Sequence, residues 1–164
     1  FVSVFFSALS HAHLHGGMKL PPLLSLRDLL RLYGVHATKS LSQNFILDTA
    51  LLGKLVSYCP NLQQRPVLEI GPGPGGLTRA LLNAGVQRLV TVERDARFVP
   101  VLQMLEQASD GRMRSVIGDI MPTDEYELLQ AHFGPLPDAS DSLVDAPMLV
   151  GNLPFQISTA LLLK

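Results

Sequence analysis

The sequence predicts an α/β domain, a parallel sheet with helices on both faces. Three observations carry this. Short apolar runs alternate with stretches of helical periodicity from residue 66 onward. The runs stop at glycine, proline or a short polar residue, the residues that punctuate strands. The side chains best suited to chemistry fall just after these runs, at what would be the carboxyl ends of parallel strands, where open α/β sheets gather their ligands. The chain has 164 residues, 47% apolar and 16% charged, enough for one domain with a core of its own but short for two.

Residues 1–9 are apolar but too few to span a bilayer, and no positive flank marks a secretory signal. His11, His13 and His15 alternate without a carboxylate or cysteine beside them. Residues 1–17 are therefore expected to be a non-native or disordered lead rather than a metal site, with the domain proper running over 18–164. Ser25 and Asp28 have capping-box spacing, Leu26, Leu29, Leu30 and Tyr33 follow on one helical face, and Gly34 ends that helix. Asp48 is placed to cap a second helix carrying Leu51, Leu52, Leu55 and Val56.

The first parallel strand is 66–70, and a glycine- and proline-rich loop leads from it into a helix over 77–84 that Gly85 stops. The second strand is 88–93. The helix after it, 96–105, tolerates Pro100 only near its first turn. A third strand, 115–117, ends at Gly118-Asp119. Thr123 is the expected cap of a polar helix over 124–132, and 134–147 reads as loop. The fourth strand, 148–150, runs into Asn152-Leu153-Pro154-Phe155, and the chain stops inside a new helix. Cys59 is the single cysteine, so no disulfide framework is possible and a buried structural role is expected. Charge is uneven. Residues 18–118 hold 12 basic and 7 acidic side chains, and 119–164 hold one basic and seven acidic. The basic first part suits a polyanionic partner, as it does a solvated surface.

Gly71, Gly73 and Gly76 match G-x-G-x-x-G between a strand and a helix, and Glu93 follows Gly71 by 22 residues, where a ribose-binding acid belongs. No Lys-Ser/Thr pair follows the last glycine, which excludes the triphosphate P-loop. Pro72 and Pro74 remove two N–H donors from a loop that would otherwise cradle pyrophosphate, which argues against a dinucleotide. Glu69, Glu93, Asp119 and Asn152 would line one edge of the sheet. Such a row can hold a ribose diol, an adenine amine and a cationic amino-acid end, the shape of S-adenosyl-L-methionine. The glycines then let the backbone approach the ligand, and the prolines stiffen the loop.

Asn152-Leu153-Pro154-Phe155 is the most specific element. The exocyclic amine of adenine is a poor nucleophile because its lone pair is delocalised into the ring. Two acceptors, the side-chain oxygen of Asn152 and the main-chain oxygen of Leu153, can draw its two N–H bonds and favour a tetrahedral nitrogen. Pro154 fixes the turn, and Phe155 offers a flat face for the base.

The ordered set LSQNFILD, LEIGPGPGGLTRALL, VERDARFVPVLQML, GDI and GNLPFQIST resembles the rRNA adenine dimethyltransferases over roughly residues 19–164. GPGPGG, RFVPVLQML and the phenylalanine of GNLPF point to the mitochondrial branch of that family. The resemblance implies a Rossmann-like, class I S-adenosylmethionine-dependent methyltransferase fold, incomplete at the C-terminus. It implies dimethylation of two adjacent adenines in a small-subunit rRNA hairpin, with S-adenosyl-L-methionine as cofactor. By resemblance, Gln43, Asn44, Ile46 and Leu47 belong to a segment that folds over the cofactor; relatives more often have leucine where Ile46 stands. Gly71 and Gly73 fall in the methionine-binding turn, Glu93 on the ribose diol, and Arg94 along the adenine. Asp119 and Ile120 match the adenine-amine contact and its neighbour. Asn152 matches both a cofactor neighbour and the target-amine acceptor, with Leu153, Pro154 and Phe155 completing the catalytic turn. Lys39 is a candidate RNA phosphate contact or a solvated surface lysine.

A complete member continues the sheet past strand four and adds a helical RNA-binding domain. This chain stops 12 residues after Asn152, leaving a bare sheet edge as the expectation. No metal and no membrane are expected, and a monomer is. Lys19, Arg27, Arg31 and Lys39 against Asp28 alone suit a short matrix-targeting helix, so a mitochondrial matrix location is expected. Two alternatives remain. One is a non-catalytic RNA-binding module associated with mitochondrial transcription. The other is a dinucleotide oxidoreductase, which leaves the Asn-Leu-Pro-Phe turn unexplained.

Overall fold

A computed structural model describes residues 2–5, 19–34, 45–136 and 146–164. A five-stranded sheet runs in the order β1-β5-β2-β3-β4, made of β1 (Val2–Phe5), β2 (Pro66–Ile70), β3 (Arg88–Glu93), β4 (Met113–Ile117) and β5 (Met148–Leu153). The four strands from β2 to β5 are parallel. The chain builds outward from β2 through β3 to β4, then returns to lay β5 on the other side of β2. That reversal creates a switch point at the carboxyl ends of β2 and β5, where a crevice must open because successive connections leave in opposite directions.

The strands read as near-continuous apolar runs because both faces are covered. One face carries α1 (Leu26–Leu32), α2 (Thr49–Ser57), α3 (Gly76–Asn83) and α4 (Val99–Ala108), whose Leu29, Leu52, Leu81 and Leu102 pack with Val67, Leu89 and Val150. The other face carries α5 (Glu125–Phe133) and α6 (Phe155–Leu162), with Leu129 and Leu161 against Leu68, Ile70, Val90 and Val92. Cys59 lies in the first of these cores, and burial pushes its thiol up to about 11, the state of an inert structural residue.

The caps follow the sequence with two adjustments. Asp48 accepts from the N–H groups of Ala50 and Leu51, as expected. Ser25 accepts from the Asp28 N–H at 3.2 Å, but Asp28 takes the Ser25 hydroxyl rather than its N–H. The cap of α5 is Asp124, accepting from the Glu127 N–H, and not Thr123, whose hydroxyl turns back to the Asp119 carbonyl. Asp95 opens the helix after β3 as a 3₁₀ turn, Ala96–Phe98, so that Pro100 falls in the first turn of α4, where its missing N–H removes no bond.

Two strand expectations fall short. β4 begins at Met113, two residues before the expected start. β5 continues through Gly151 and Asn152 to Leu153 because it is paired on both sides, with β2 up to Gly151 and with β1 as far as Leu153. That second partner adds one antiparallel strand beside the four parallel ones. Val2–Phe5 runs antiparallel to β5, with Ser3 opposite Asn152, and covers the edge that was expected to be bare. The physical reason is that an open β5 edge presents a row of unpaired N–H and C=O groups, which any adjacent extended segment can satisfy.

Candidate active site

The crevice at the switch point holds a cavity of about 310 Å³, in the size range of small-molecule sites. Its closed end is the glycine loop. Gly71, Gly73 and Gly75 all take positive φ, at 64°, 55° and 80°. The loop is pinned at both ends, since the Gly71 N–H donates to the Val92 carbonyl and the Gly75 N–H to the Pro72 carbonyl. Gly75, which the sequence motif does not single out, is the tightest position. A Cβ there would overlap Leu105 Cδ1 on α4. Gly76 is closed in by the Ile46 carbonyl, Leu52 and Leu26.

Phe45 lies over this loop. Its ring stands edge-on to buried Phe98, with centroids 5.6 Å apart, and its edge would meet a Cβ at Gly73 at 3.3 Å. Phe45 and Ile46 thus bring the segment before α2 onto the cavity wall.

Glu93 ends β3 inside the cavity. The Gly73 N–H donates to its Oε2 at 2.9 Å, and the Asp95 N–H to its Oε1 at 2.7 Å. Burial raises its pKa, and these two backbone donors partly offset the rise. A carboxylate fixed by one donor on each oxygen still has lone pairs for a diol. Glu69 sits deeper, 1% exposed, on the floor of the cavity. Burial pushes its carboxyl up to about 8, with Thr78 pulling the other way and Glu93 adding to the rise.

The open end is built by β4 and β5. Gly118 and Asp119 follow β4, where the Gly118 N–H bonds the Glu93 carbonyl and Asp119 Oδ1 accepts from the Met121 N–H. Arg94 approaches Asp119 at 4.0 Å across a solvated gap, and Ile120 supplies a buried apolar wall. Asn152 and Leu153 end β5, and Pro154 sits at the N-cap of α6, its carbonyl accepting from the Ile157 and Ser158 N–H groups. Gly151 is what lets β5 lie so near β2, because a Cβ there would stand 2.8 Å from the Ile70 carbonyl.

Most sequence-predicted residues converge on this one cavity. Ile46, Gly71, Gly73 and Glu93 line its closed side; Arg94, Asp119, Ile120, Asn152, Leu153 and Pro154 line the open side. Leu47 does not line it, because the chain there already turns toward the Asp48 cap. Phe155 is also off the wall, as the exposed first residue of α6 beside the mouth. Lys39, Gln43 and Asn44, like His11, His13 and His15, lie outside the described residues. Sequence reasoning missed Phe45, Gln156 and Ile157 as wall residues, although each sits inside a motif it quoted. Among the described residues no group of His, Cys, Asp and Glu could hold a metal ion, and no helix is long and apolar enough to cross a membrane.

Comparison with known proteins agrees with this geometry. The profile of the ribosomal RNA adenine dimethylase family matches residues 34–164. Dimethyladenosine transferase 1, mitochondrial, of Xenopus laevis is 45% identical over 146 residues, covering 89% of this chain and 42% of that protein. The Homo sapiens protein of the same name is 42% identical, over 89% of this chain and 41% of its own length. The Caenorhabditis elegans one is 41% identical, over 89% and 40%. The chain thus spans about two-fifths of the length of these curated relatives. Among solved structures, the 23S rRNA methyltransferase ErmE superposes with a TM-score of 0.51 at 25% identity, over 73% of this chain and 41% of that one.

Proposed function

The chain belongs to the ribosomal RNA adenine dimethylase family, and from that premise we propose that it carries the cofactor site and catalytic turn of an S-adenosylmethionine-dependent rRNA adenine dimethyltransferase. Its targets on this reading are the exocyclic amines of two adjacent adenines in a small-subunit rRNA hairpin, in the mitochondrial matrix. The observation that carries the reading is the shared cavity. Glu93, Asp119 and Asn152, from three different strand ends, open onto one space beneath a proline-stiffened glycine loop. The names of the relatives support the mitochondrial location.

The site suits the cofactor. Glu93 would take the ribose diol, held in place by the Gly73 and Asp95 N–H groups. Asp119 would accept from the adenine amine, with Ile120 against the ring and Arg94 alongside. Phe45 and Ile46 would cover the ligand from the α2 side. S-adenosylmethionine supplies, when bound, a methyl group already activated on a sulfonium. The protein's task is then to present the amine in line. Asn152 and the Leu153 carbonyl would accept the amine's two N–H bonds, and Phe155 would stack on the unstacked base. The displaced proton leaves to water, and no side chain is assigned as its base. A hairpin loop makes extrusion of the target adenine cheaper than a paired stem does.

The test is methyl transfer from S-adenosylmethionine to such a hairpin by the intact protein and by Asn152→Ala, with cofactor binding followed by calorimetry. Loss of an amine acceptor should lower transfer by about 10²–10³-fold, while cofactor affinity changes far less and NAD fails to compete. A folded protein that binds NAD, or an Asn152→Ala variant with full transfer, would sink the assignment. A folded protein that binds RNA but no cofactor would favour the transcription-associated module.

A further inference from the structure

Beneath the glycine loop lies a polar cluster that the methyl-transfer scheme does not use. Glu69 is 1% exposed, and neither of its carboxyl oxygens has a hydrogen-bond partner. The hydroxyls of Thr78 on α3 and Thr91 on β3 are also fully buried and unpartnered. Thr91 sits directly across from Glu69 in the parallel register. These are four orphaned oxygens, contributed by β2, β3 and α3, beside a core that otherwise packs leucine and valine. Buried polar atoms without partners are uncommon and call for an explanation.

The surroundings give Glu69 no counter-charge. β3 contributes Thr91 and another acid, Glu93. Asp95 is engaged with the Arg97 guanidinium at 2.5 Å. On α3 the one charged residue is Arg79, which donates to the Leu24 carbonyl. β5 places Val150 opposite Glu69, while Arg94 and Asp119 pair with each other at the open end. Among the described residues, then, no cation is counted among the groups that act on Glu69, and a buried carboxylate without a counter-charge is strongly disfavoured. Burial accordingly pushes it up to about 8. Yet the site is prepared for the anion. Thr78, in the first turn of α3, brings both its N–H and its hydroxyl close enough to favour the ionised form. Glu69 also lines the cavity, its two carboxyl oxygens closed off from solvent.

We propose that Glu69 stands as a neutral acid in the empty site and gives up its proton when the ammonium end of an amino-acid ligand enters, so that cofactor binding releases one proton. The inference rests on the S-adenosylmethionine reading above. The O–H bond of Glu69 breaks, its electron pair stays on the carboxylate, and the proton passes through the open mouth to solvent buffer. The carboxylate then faces the ligand's ammonium on one side and Thr78 on the other. The device makes occupancy depend on a cationic end. It favours a whole amino-acid nucleoside over a bare one.

The measurement is calorimetry on the intact protein between pH 6 and 7, in phosphate and in Tris, whose ionisation enthalpies differ. An α-amino group of pKa about 8 stays charged in that window. S-adenosylmethionine and S-adenosylhomocysteine should each release close to one proton, with affinity rising by about tenfold per pH unit. 5′-Methylthioadenosine has the same nucleoside and no ammonium, and it should release none. Any proton lost by Glu93 through the ribose appears with all three ligands, so the difference isolates Glu69. Glu69→Gln should abolish the difference, and the ligand comparison stands on the unaltered protein if that variant fails to fold. Equal release by all three ligands, or release with S-adenosylmethionine alone, overturns the proposal while leaving the cofactor reading intact. Absence of S-adenosylmethionine binding to a folded protein overturns the cofactor reading itself, and this inference with it.

Discussion

At the closed end of the cavity Glu69 is 1% exposed, Glu93 is tied to two backbone N–H groups, and three consecutive odd-numbered glycines hold positive φ. At the open end the Asp119 side chain is 44% exposed, Arg94 is more exposed still, and Phe155 stands 59% free of the protein. One end is part of the core and the other is surface. The contrast suits a site that takes a small ligand into the fold and meets a macromolecule at its mouth. It also means that the same kind of substitution should be felt as stability at one end and as activity at the other.

The largest stability effect is expected at Gly75. Alanine there must hold φ near 80° and push Leu105 out of its place against the loop. Strain and overpacking together should cost about 2–4 kcal/mol. Urea unfolding of Gly75→Ala checks this, and an unchanged midpoint would show that the closed end is not built into the core as argued.

Glu69→Gln sharpens the comparison next, through pH. Burial pushes the folded carboxyl up to about 8 from the ordinary glutamate value of 4.5, so its pKa is raised by folding. Between those two values the unfolded chain has released a proton that the folded chain keeps. The stability Glu69 contributes is therefore complete below about 4.5 and is lost as pH rises through 8. Glu93 acts in the same direction. Over the whole window the Glu69 contribution is on the order of a few kcal/mol. Unfolding free energy measured from pH 5 to 9 should fall less steeply in Glu69→Gln than in the parent. Parallel slopes would mean that Glu69 is solvated or paired after all.

What the sequence made legible follows the same division. The succession of strands along the chain, the glycine loop and the polar residues at strand ends could be read because each is local: apolar runs, punctuating glycines, caps such as Asp48. The orphaned state of Glu69 could not, because it depends on Thr91 from another strand and Thr78 from a helix arriving without a matching donor geometry. The tightness at Gly75 depends on Leu105, 30 residues away in the chain. β5 outran its expected end because its length is set by partners on both sides, β1 among them. Asp124 displaced Thr123 as a cap because the Thr123 hydroxyl had a nearer use at the Asp119 carbonyl. Phe155 was expected in the catalytic turn from its motif, but as the first residue of α6 it lies off the cavity wall.

That outward position makes Phe155 the mildest test of the comparison. A side chain 59% exposed at the first residue of a helix contributes little to the core. Its replacement should leave the unfolding midpoint within about 0.5 kcal/mol of the parent. If the ring serves as a platform for the target base, Phe155→Ala should instead lose the stacking, worth about 1–3 kcal/mol. That loss would weaken kcat/KM for the hairpin by roughly 5–150-fold. Phe155→Tyr keeps the flat face and should retain most of the activity. S-adenosylmethionine affinity should not change in either variant, because Phe155 is not on the cavity wall. An alanine variant that transfers methyl groups normally would take the base platform away from Phe155 and move it to another residue at the mouth. One that loses stability instead would show that the open end is part of the core as well, and the division between the two ends would fail.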